Sequence, residues 1–454
     1  MLPFTFLMLQ KPYMASLVRS FTFRGQFHSQ NSLSVGSGDS NDDQHDRLPW
    51  PDHPERDNTL RRAIKEISHS EDEELEWYDE VLPEYASRDD ALFPLLLISL
   101  PNLRRLDFEV TGFEVYFLSR VFDRIASSKP PFDVNPLFTQ LSDILLIGSE
   151  YKYPSKYALF GACCRLPAVK RVYGHAFGAE DNRPQLRAFT GVPSSLETLE
   201  LRNSKLQLDD LGFILGGLQS LHTLIYHIGN PWARAPVWTL HILSAFAIHA
   251  KSIRRLAINH EEYSPFYRYP PGEIDDRADP LSFVDFTALT HLRVVPVFLF
   301  GANNIINEVE PGSADEDVML NRLRRAFPRN LQSLCITHAG YVFLGEQDCM
   351  EKAFGILLRH KECVPNLREL VFEGPFREEE SIRRVGQLIS LAETMGVHVR
   401  AVGLPENTYT GERGWEWDEE ERFASCMHNS VGERVQVLPE PVVAAMGGGD
   451  NEKE

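Results

Sequence analysis

Residues 196–201 read Leu-Glu-Thr-Leu-Glu-Leu, and residues 221–226 repeat the same spacing as Leu-His-Thr-Leu-Ile-Tyr. In both stretches the first, fourth and sixth residues are apolar, and the residues between them are mostly polar. Alternation over the last positions is typical of a short β-strand with one buried face. The pattern therefore predicts a strand at each copy, opened by one further buried leucine.

This pattern recurs along most of the chain. Nine copies form an ordered series, with first residues 25 to 42 positions apart, beginning at Leu103, Leu141, Val169, Leu196, Leu221, Ile253, Leu289, Leu331 and Leu367. An earlier copy covers 18–23, and 397–402 (VHVRAV) fits a final, degenerate strand. One copy cannot bury its own apolar face, so the units must stack on one another.

The segments between the copies have helical periodicity. In 116–127, Phe117, Val121, Phe122 and Ile125 follow one another at short helical steps and form one apolar stripe. Further helices are predicted at 211–218, 236–249, 317–327, 350–360 and 380–395. The alternation predicts an irregular α/β leucine-rich-repeat solenoid, with parallel strands on the concave face and helices on the convex face.

The negative charge of the chain is concentrated in two places. The sequence holds 65 acidic and 46 basic residues, a formal charge of −19. Residues 36–90 contain 18 acids and 6 bases, and residues 412–454 contain 11 acids and 4 bases, so the remainder is balanced. A nucleic-acid-binding surface would carry a basic stripe, and we therefore expect no nucleic-acid partner.

Composition also predicts the organisation of the chain. We expect an N-terminal strand and cap over 1–29, an acidic and largely disordered insertion over 30–90, the solenoid over 91–404, and an acidic tail over 405–454. Within the insertion, 60–67 has the spacing of a short amphipathic helix. In the tail, Trp415 and Trp417 are expected to pack on the last repeat as a cap; the alternative is a linear motif that folds onto a partner.

The six cysteines are scattered and form no CxxC pair or Cys/His ligand spacing, which favours buried thiols in a reducing compartment. Residues 2–9 (LPFTFLML) are too short to span a membrane and lack the basic start of a signal peptide. No Asn-x-Ser/Thr site is present. We expect a cytoplasmic or nuclear protein without a membrane partner.

The sequence contains no phosphate-binding glycine loop, nucleophile elbow or HExxH pattern. We therefore expect no catalytic residue, no metal and no cofactor, and we expect the protein not to be an enzyme. The competing hypothesis is a hydrolase or transferase whose site does not appear as a motif.

Four stretches carry a family resemblance: 17–23 (LVRSFTF), 95–108 (LLLISLPNLRRLDF), 194–204 (SSLETLELRNS) and 364–374 (VPNLRELVFEG). They resemble fungal F-box and leucine-rich-repeat proteins. An F-box should precede the first strand, but only about sixteen residues stand there and none matches it. The resemblance implies target recognition like that of ubiquitin-ligase receptors. A link through Skp1 and a cullin would require a cryptic F-box.

The strand register also predicts a binding surface, because the third and fifth residues of each copy should face solvent. We expect a protein or peptide partner to bind the middle repeats at Thr198, Glu200, Thr223, Ile225, Arg255, His291 and Arg293. The mixed charges suit such a partner better than a polyanion. For any single residue the competing interpretation is a solvated wall without a ligand. The predicted function is a non-catalytic protein-interaction module.

Overall fold

The computed structural model describes residues 2–23, 54–81, 89–110, 115–148, 157–175, 177, 194–204, 206, 208–228, 239–260, 281–300, 316–337, 339, 349–374, 379–403 and 436–437. The chain divides into two compact units. The first comprises 1–197 and 217–219, and the second comprises 198–216 and 220–454. Both units alternate helices with parallel strands, which confirms the predicted α/β leucine-rich-repeat fold.

The first unit begins with two short helices and ends with its fourth strand. Its elements are α1 (Leu2–Gln10), α2 (Pro12–Leu17), β1 (Ser20–Phe23), α3 (Pro54–Ile67), α4 (Glu71–Val81), α5 (Asp89–Ile98), β2 (Arg105–Val110), α6 (Tyr116–Ala126), β3 (Asp143–Gly148), α7 (Tyr157–Arg165) and β4 (Arg171–His175).

The second unit continues the alternation. Its elements are β5 (Thr198–Ser204), α8 (Leu208–Gly216), β6 (Thr223–Ile228), α9 (Thr239–Phe246), β7 (Arg255–His260), β8 (His291–Val294), α10 (Pro296–Phe300), α11 (Glu316–Ala326), β9 (Ser333–Ile336), α12 (Cys349–Arg359), β10 (Glu369–Gly374), α13 (Glu379–Thr394), β11 (His398–Gly403) and β12 (Gln436–Val437). Single 3-10 turns follow α9 and α12.

Strands that follow one another in the sequence are neighbours in the sheet. β1 to β4 pair in parallel, as do β5 to β11. β12 differs, because it pairs with β11 in antiparallel fashion, with Val402 opposite Val437. The early strand predicted at 18–23 and the final strand predicted at 397–402 are confirmed as β1 and β11.

Alternate strand residues form the core of each unit. In β10, Leu370 and Phe372 are fully buried, and the Phe372 ring centroid lies 5.2 Å from that of Phe354 on α12. In the first unit, Phe108 of β2 meets Phe93 of α5 at 5.5 Å. We call the side of the sheet covered by helices the helix face, and the opposite side the open face.

The backbone repeats one hydrogen-bond arrangement where successive strands begin. The carbonyl of His222, just before β6, accepts hydrogen bonds from the N–H groups of Arg254 and Arg255 at 2.8 and 3.1 Å. The carbonyl of Arg254 accepts in turn from Thr290 and His291 at 2.9 and 3.1 Å. A carbonyl oxygen has two lone pairs, so one acceptor can align two successive residues of the next strand.

The prediction of a largely disordered insertion over 30–90 is wrong for 54–81, which forms α3 and α4. The helix predicted at 60–67 lies within α3. Leu60, Ile64 and Ile67 recur at helical spacing and are buried, and Trp77 of α4 is fully buried. Enough apolar surface is covered to offset the ordering entropy of this acidic segment. Residues 30–53, Trp415 and Trp417 lie outside the described residues.

A buried acid joins α4 to α6. The Glu73 carboxylate accepts hydrogen bonds from Arg124 Nη1 and Nη2 at 3.0 and 2.7 Å, and from Arg120 Nε at 2.9 Å. Burial alone would raise the pKa of Glu73, but the His69 N–H and the two arginines outweigh it and hold the pKa below its usual value. Composition predicted that the acids of this segment are solvated, but the Glu73 carboxylate is buried and holds α4 against α6.

Candidate protein-interaction surface

The open face of the second unit presents residues from strands widely separated in the sequence. Because side chains alternate along a strand, the first, third and fifth strand residues share this face. The register aligns them across the sheet into rows. The row made by the first residue of each strand, here the first row, consists of Thr198, Thr223, Arg255, His291, Ser333, Glu369 and His398.

Most of the first row is accessible. Arg255 and His398 are exposed, and Thr198, Thr223, His291 and Glu369 are half-buried. Only Ser333 is buried among its described members. Four of the seven predicted binding residues therefore lie on adjacent strands in an accessible row: Thr198, Thr223, Arg255 and His291.

The next row, formed by the third residue of each strand, is almost entirely buried. Exposure is 1% for Glu200, 7% for Ile225 and 3% for Arg293. We predicted these three residues to face solvent and contact a partner. That expectation of exposure is wrong for all three, so a partner approaching the open face meets the first row instead.

Arg293 is buried because it forms an ion pair across the sheet. Its Nη2 donates to Glu373 Oε2 at 2.7 Å, reaching from β8 past β9 to β10. Burial raises the pKa of Glu373, and the charge of Arg293 opposes that rise. Cys335 of β9 is also fully buried, and its thiol pKa is raised well above its usual value, first by burial and then by the charge of Glu373.

Glu200 and Ile225 are buried for different reasons. Glu200 accepts a hydrogen bond at 2.5 Å from Nε of Arg202, which is two residues along β5 and therefore on the same face. Ile225 packs with Ala257 of β7 as a small apolar cluster on the open face. A charge pair within one strand and an apolar pair between strands can each cover side chains that alternation alone would leave in water.

Side-chain contacts hold two members of the first row, Glu369 and His291. Glu369 accepts from Ser333 Oγ at 2.8 Å and from Arg400 Nη2 at 2.5 Å. His291 Nδ1 lies 2.9 Å from Thr290 Oγ1. Burial lowers the pKa of His291, the charge of Arg255 lowers it further, and Glu369 acts in the opposite direction. At neutral pH the row therefore combines a guanidinium, a neutral imidazole, hydroxyls and a carboxylate.

The sequence hypothesis omitted Glu369, His398 and Ser333 from the site. The same register marks all three, because they occupy the first strand position in later repeats. Restricting the site to the middle repeats excluded them. Glu373 could not be assigned in this way, since its role depends on a pairing with Arg293 over 80 residues.

The first unit has an open face of its own. Asp143 at the start of β3 is buried and pairs with Arg171 at the start of β4. Nearby, Lys170 Nζ lies 3.0 Å from Glu197 Oε1, and both side chains are more than 40% exposed. The charges at the strand starts in this unit therefore engage one another.

The described part of the chain was also searched for clusters of metal ligands and for membrane-spanning helices. The residues placed there include no group of three or more His, Cys, Asp or Glu side chains arranged to hold a metal ion. None of the helices described is long and apolar enough to cross a bilayer. The arrangement on the open face can bind hydrogen-bonding and charged groups of another molecule.

Comparison with known proteins agrees with the repeat architecture. A family model described as a leucine-rich repeat domain matches residues 1–132. It supports the repeat part of the resemblance over those residues and gives no support to an F-box. No curated protein matches the chain. Leucine-rich repeat domains are generally non-catalytic modules that bind other proteins.

Proposed function

We propose that this protein is a non-catalytic recognition module that binds a protein or peptide partner along the first row of its second unit. One observation carries the proposal. Six of the seven members of the row are exposed or half-buried, and they are aligned in register above a row that is buried. A segment lying across the strands would meet a new side chain about every 4.8 Å.

The side chains of the row indicate the chemistry of the partner. Arg255 is the exposed guanidinium of the row, flanked by the hydroxyl of Thr223 and the imidazole of His291. A carboxylate, or backbone carbonyls of an extended segment, would accept hydrogen bonds from these groups. Glu369 lies two strands beyond His291, and its carboxylate would accept a hydrogen bond from a donor group of the partner. The partner is therefore expected to carry both charges rather than a uniform polyanion.

A charge reversal tests this proposal. The chain is used to capture partners from a lysate, and the same capture is repeated with Arg255→Glu and with Lys251→Glu. Lys251 is exposed in the same unit but precedes β7 and is not on the first row. We expect the Arg255 variant to lose a specific protein that the Lys251 variant retains. Equal capture by the two variants would refute the role of the row.

In its finer form, the proposal is target recognition of the kind found in F-box and leucine-rich-repeat ubiquitin-ligase receptors, within the cytoplasm or nucleus. The repeat motifs at 95–108 and 364–374 support it. Recovery of Skp1 and a cullin in the same capture would support this form. Substrate turnover that a single acid or histidine substitution abolishes would instead favour an enzyme.

A further inference from the structure

The first unit exposes an apolar surface at its N-terminal end. α1 reads LPFTFLMLQ and contains no charged residue, and a helix that is apolar on all sides is normally buried. Yet Phe4 and Leu7 are 39% and 38% exposed. In α2, the exposures of Met14 and Leu17 are 45% and 58%. We call these four residues the N-terminal patch.

The patch continues onto the inner side chains of β1. The Phe4 ring stacks on Phe21 at 6.0 Å, and Phe21 and Phe23 lie 6.0 and 5.2 Å from Phe93. Phe21 and Phe23 point toward the helix face but are only half-buried. In a stacked repeat protein, such residues are covered by the next repeat. The surface therefore has the chemistry of an interface between repeats.

The outer edge of β1 adds backbone groups to this surface. β1 is the first strand of its sheet and pairs with β2 on one side. The Arg19 carbonyl accepts from the N–H groups of Arg104 and Arg105, so it points toward β2. Backbone groups alternate in direction along a strand, and those of Ser20 and Thr22 therefore point away from β2. A strand laid against this edge would pair with these two residues.

A complete occupant must supply both a strand and an apolar helical surface. The N-terminal segment of this chain is itself such a unit. A two-fold axis through Phe21 would bring Ser20 of one copy opposite Thr22 of the other in an antiparallel pair, and would bring the two patches together. Residues 1–23 contain Lys11 and Arg19 but no acid. The acidic residues that give the chain its net charge of −19 therefore do not face one another across this interface through these segments.

We propose that the N-terminal patch and the edge of β1 form a two-fold interface between two copies of this chain. None of the residues of this surface belongs to the first row, so the inference does not depend on the proposed function. A dimer of this kind would present two copies of each partner-binding surface.

The dissociation constant of the full chain, measured by sedimentation equilibrium over a range of protein concentrations, tests the inference. Leu17→Glu should weaken association at least about tenfold, because a carboxylate would be buried in each half of the interface. Val134→Glu is the matched control, since Val134 is 77% exposed between α6 and β3. This control should dimerise like the unaltered chain.

Thr22→Pro tests strand pairing independently. Its missing N–H would have pointed away from β2, so the fold should survive while the edge is blocked. Circular dichroism and the unfolding midpoint verify folding for each variant. The inference is overturned if the chain is monomeric at every concentration. It is equally overturned if a dimer forms with the same dissociation constant in Leu17→Glu and Thr22→Pro.

Discussion

Arg293 on β8 holds Glu373 on β10 by two hydrogen bonds to the same oxygen, from Nη2 at 2.7 Å and from Nε at 3.3 Å. The side chains are 4% and 0% exposed, respectively. The pair links two strands that are not neighbours in the sheet. It also explains why Arg293 is unsuitable for a test of partner binding, because a charge reversal there would bury two carboxylates together.

Breaking this pair should destabilise the second unit. Arg293→Met leaves the Glu373 carboxylate buried without its arginine, which costs about 3 kcal/mol. Arg293→Met combined with Glu373→Leu should recover most of that loss, because two apolar side chains can pack in place of the pair. Urea denaturation provides the free energies of unfolding. The exposed-site control Arg255→Met should change stability by less than about 0.5 kcal/mol.

Glu73 should be as important to the first unit. Glu73→Gln removes the charge that faces Arg120 and Arg124, and about 3 kcal/mol of stability should be lost. The matched variant Glu76→Gln affects only an exposed pair with Arg120, 41% exposed on the acid side, and should cost less than about 1 kcal/mol. Equal losses of thermal stability in the two variants would contradict a structural role for the buried acid.

Stability should fall when the pH drops below about 6.5. His249 is buried and its Nε2–H donates to the Leu215 carbonyl at 2.8 Å. Burial lowers the pKa of both His249 and His291 from 6.5. The unfolded chain therefore takes up these protons first as the pH falls, and the folded state loses stability relative to it.

Unfolding midpoints measured between about pH 7 and pH 5 check this expectation, since the unfolded imidazole titrates in that range. His249→Gln should make the midpoint less dependent on pH in this window, because it removes a buried imidazole whose pKa is lowered by folding. His398→Gln, at an exposed histidine, is the control. The explanation fails if His249→Gln leaves the slope unchanged.

Four thiols should be unreactive in the folded chain. Cys163, Cys164, Cys335 and Cys363 are buried, and burial raises the pKa of each. The thiolate is the reactive form, so a disulfide reagent should modify these four slowly until urea is added. Peptide mapping by mass spectrometry shows which cysteines are labelled before and after urea is added. Rapid modification of Cys335 without unfolding would show that the row formed by the third residue of each strand is accessible to the reagent in solution.

The fold could be predicted because its determinants are local. Spacing alone predicts which face of a strand is buried, as with Leu199 and Leu201 or with Leu370 and Phe372. The order of the copies along the sequence predicts the order of the strands in the sheet. The buried charges could not be predicted in this way. Glu73 reads as part of an acidic run until Arg120 and Arg124 are brought beside it, and they lie 47 and 51 residues away.

The same limit applied to the surface. Alternation correctly placed Thr198, Thr223, Arg255 and His291 on one face, since direction is set within each strand. Accessibility is set by what neighbouring strands supply, and a long side chain can reach across them. Arg293 shows this: alternation directs its side chain to the same face as that of Arg255, but its partner on β10 buries it.

At the start of several strands two N–H groups share one acceptor carbonyl, and this has a consequence for the length of the repeats. The alignment of β7 on β6 is fixed where the His222 carbonyl accepts hydrogen bonds from the N–H groups of Arg254 and Arg255. The alignment of β8 on β7 is fixed in the same way by the Arg254 carbonyl and the N–H groups of Thr290 and His291. Residues added after a strand ends do not alter this junction, and loop closure penalises them only slowly with length. A single residue inserted between Ile253 and Leu256 would instead turn the whole of β7 over, exchanging core for surface.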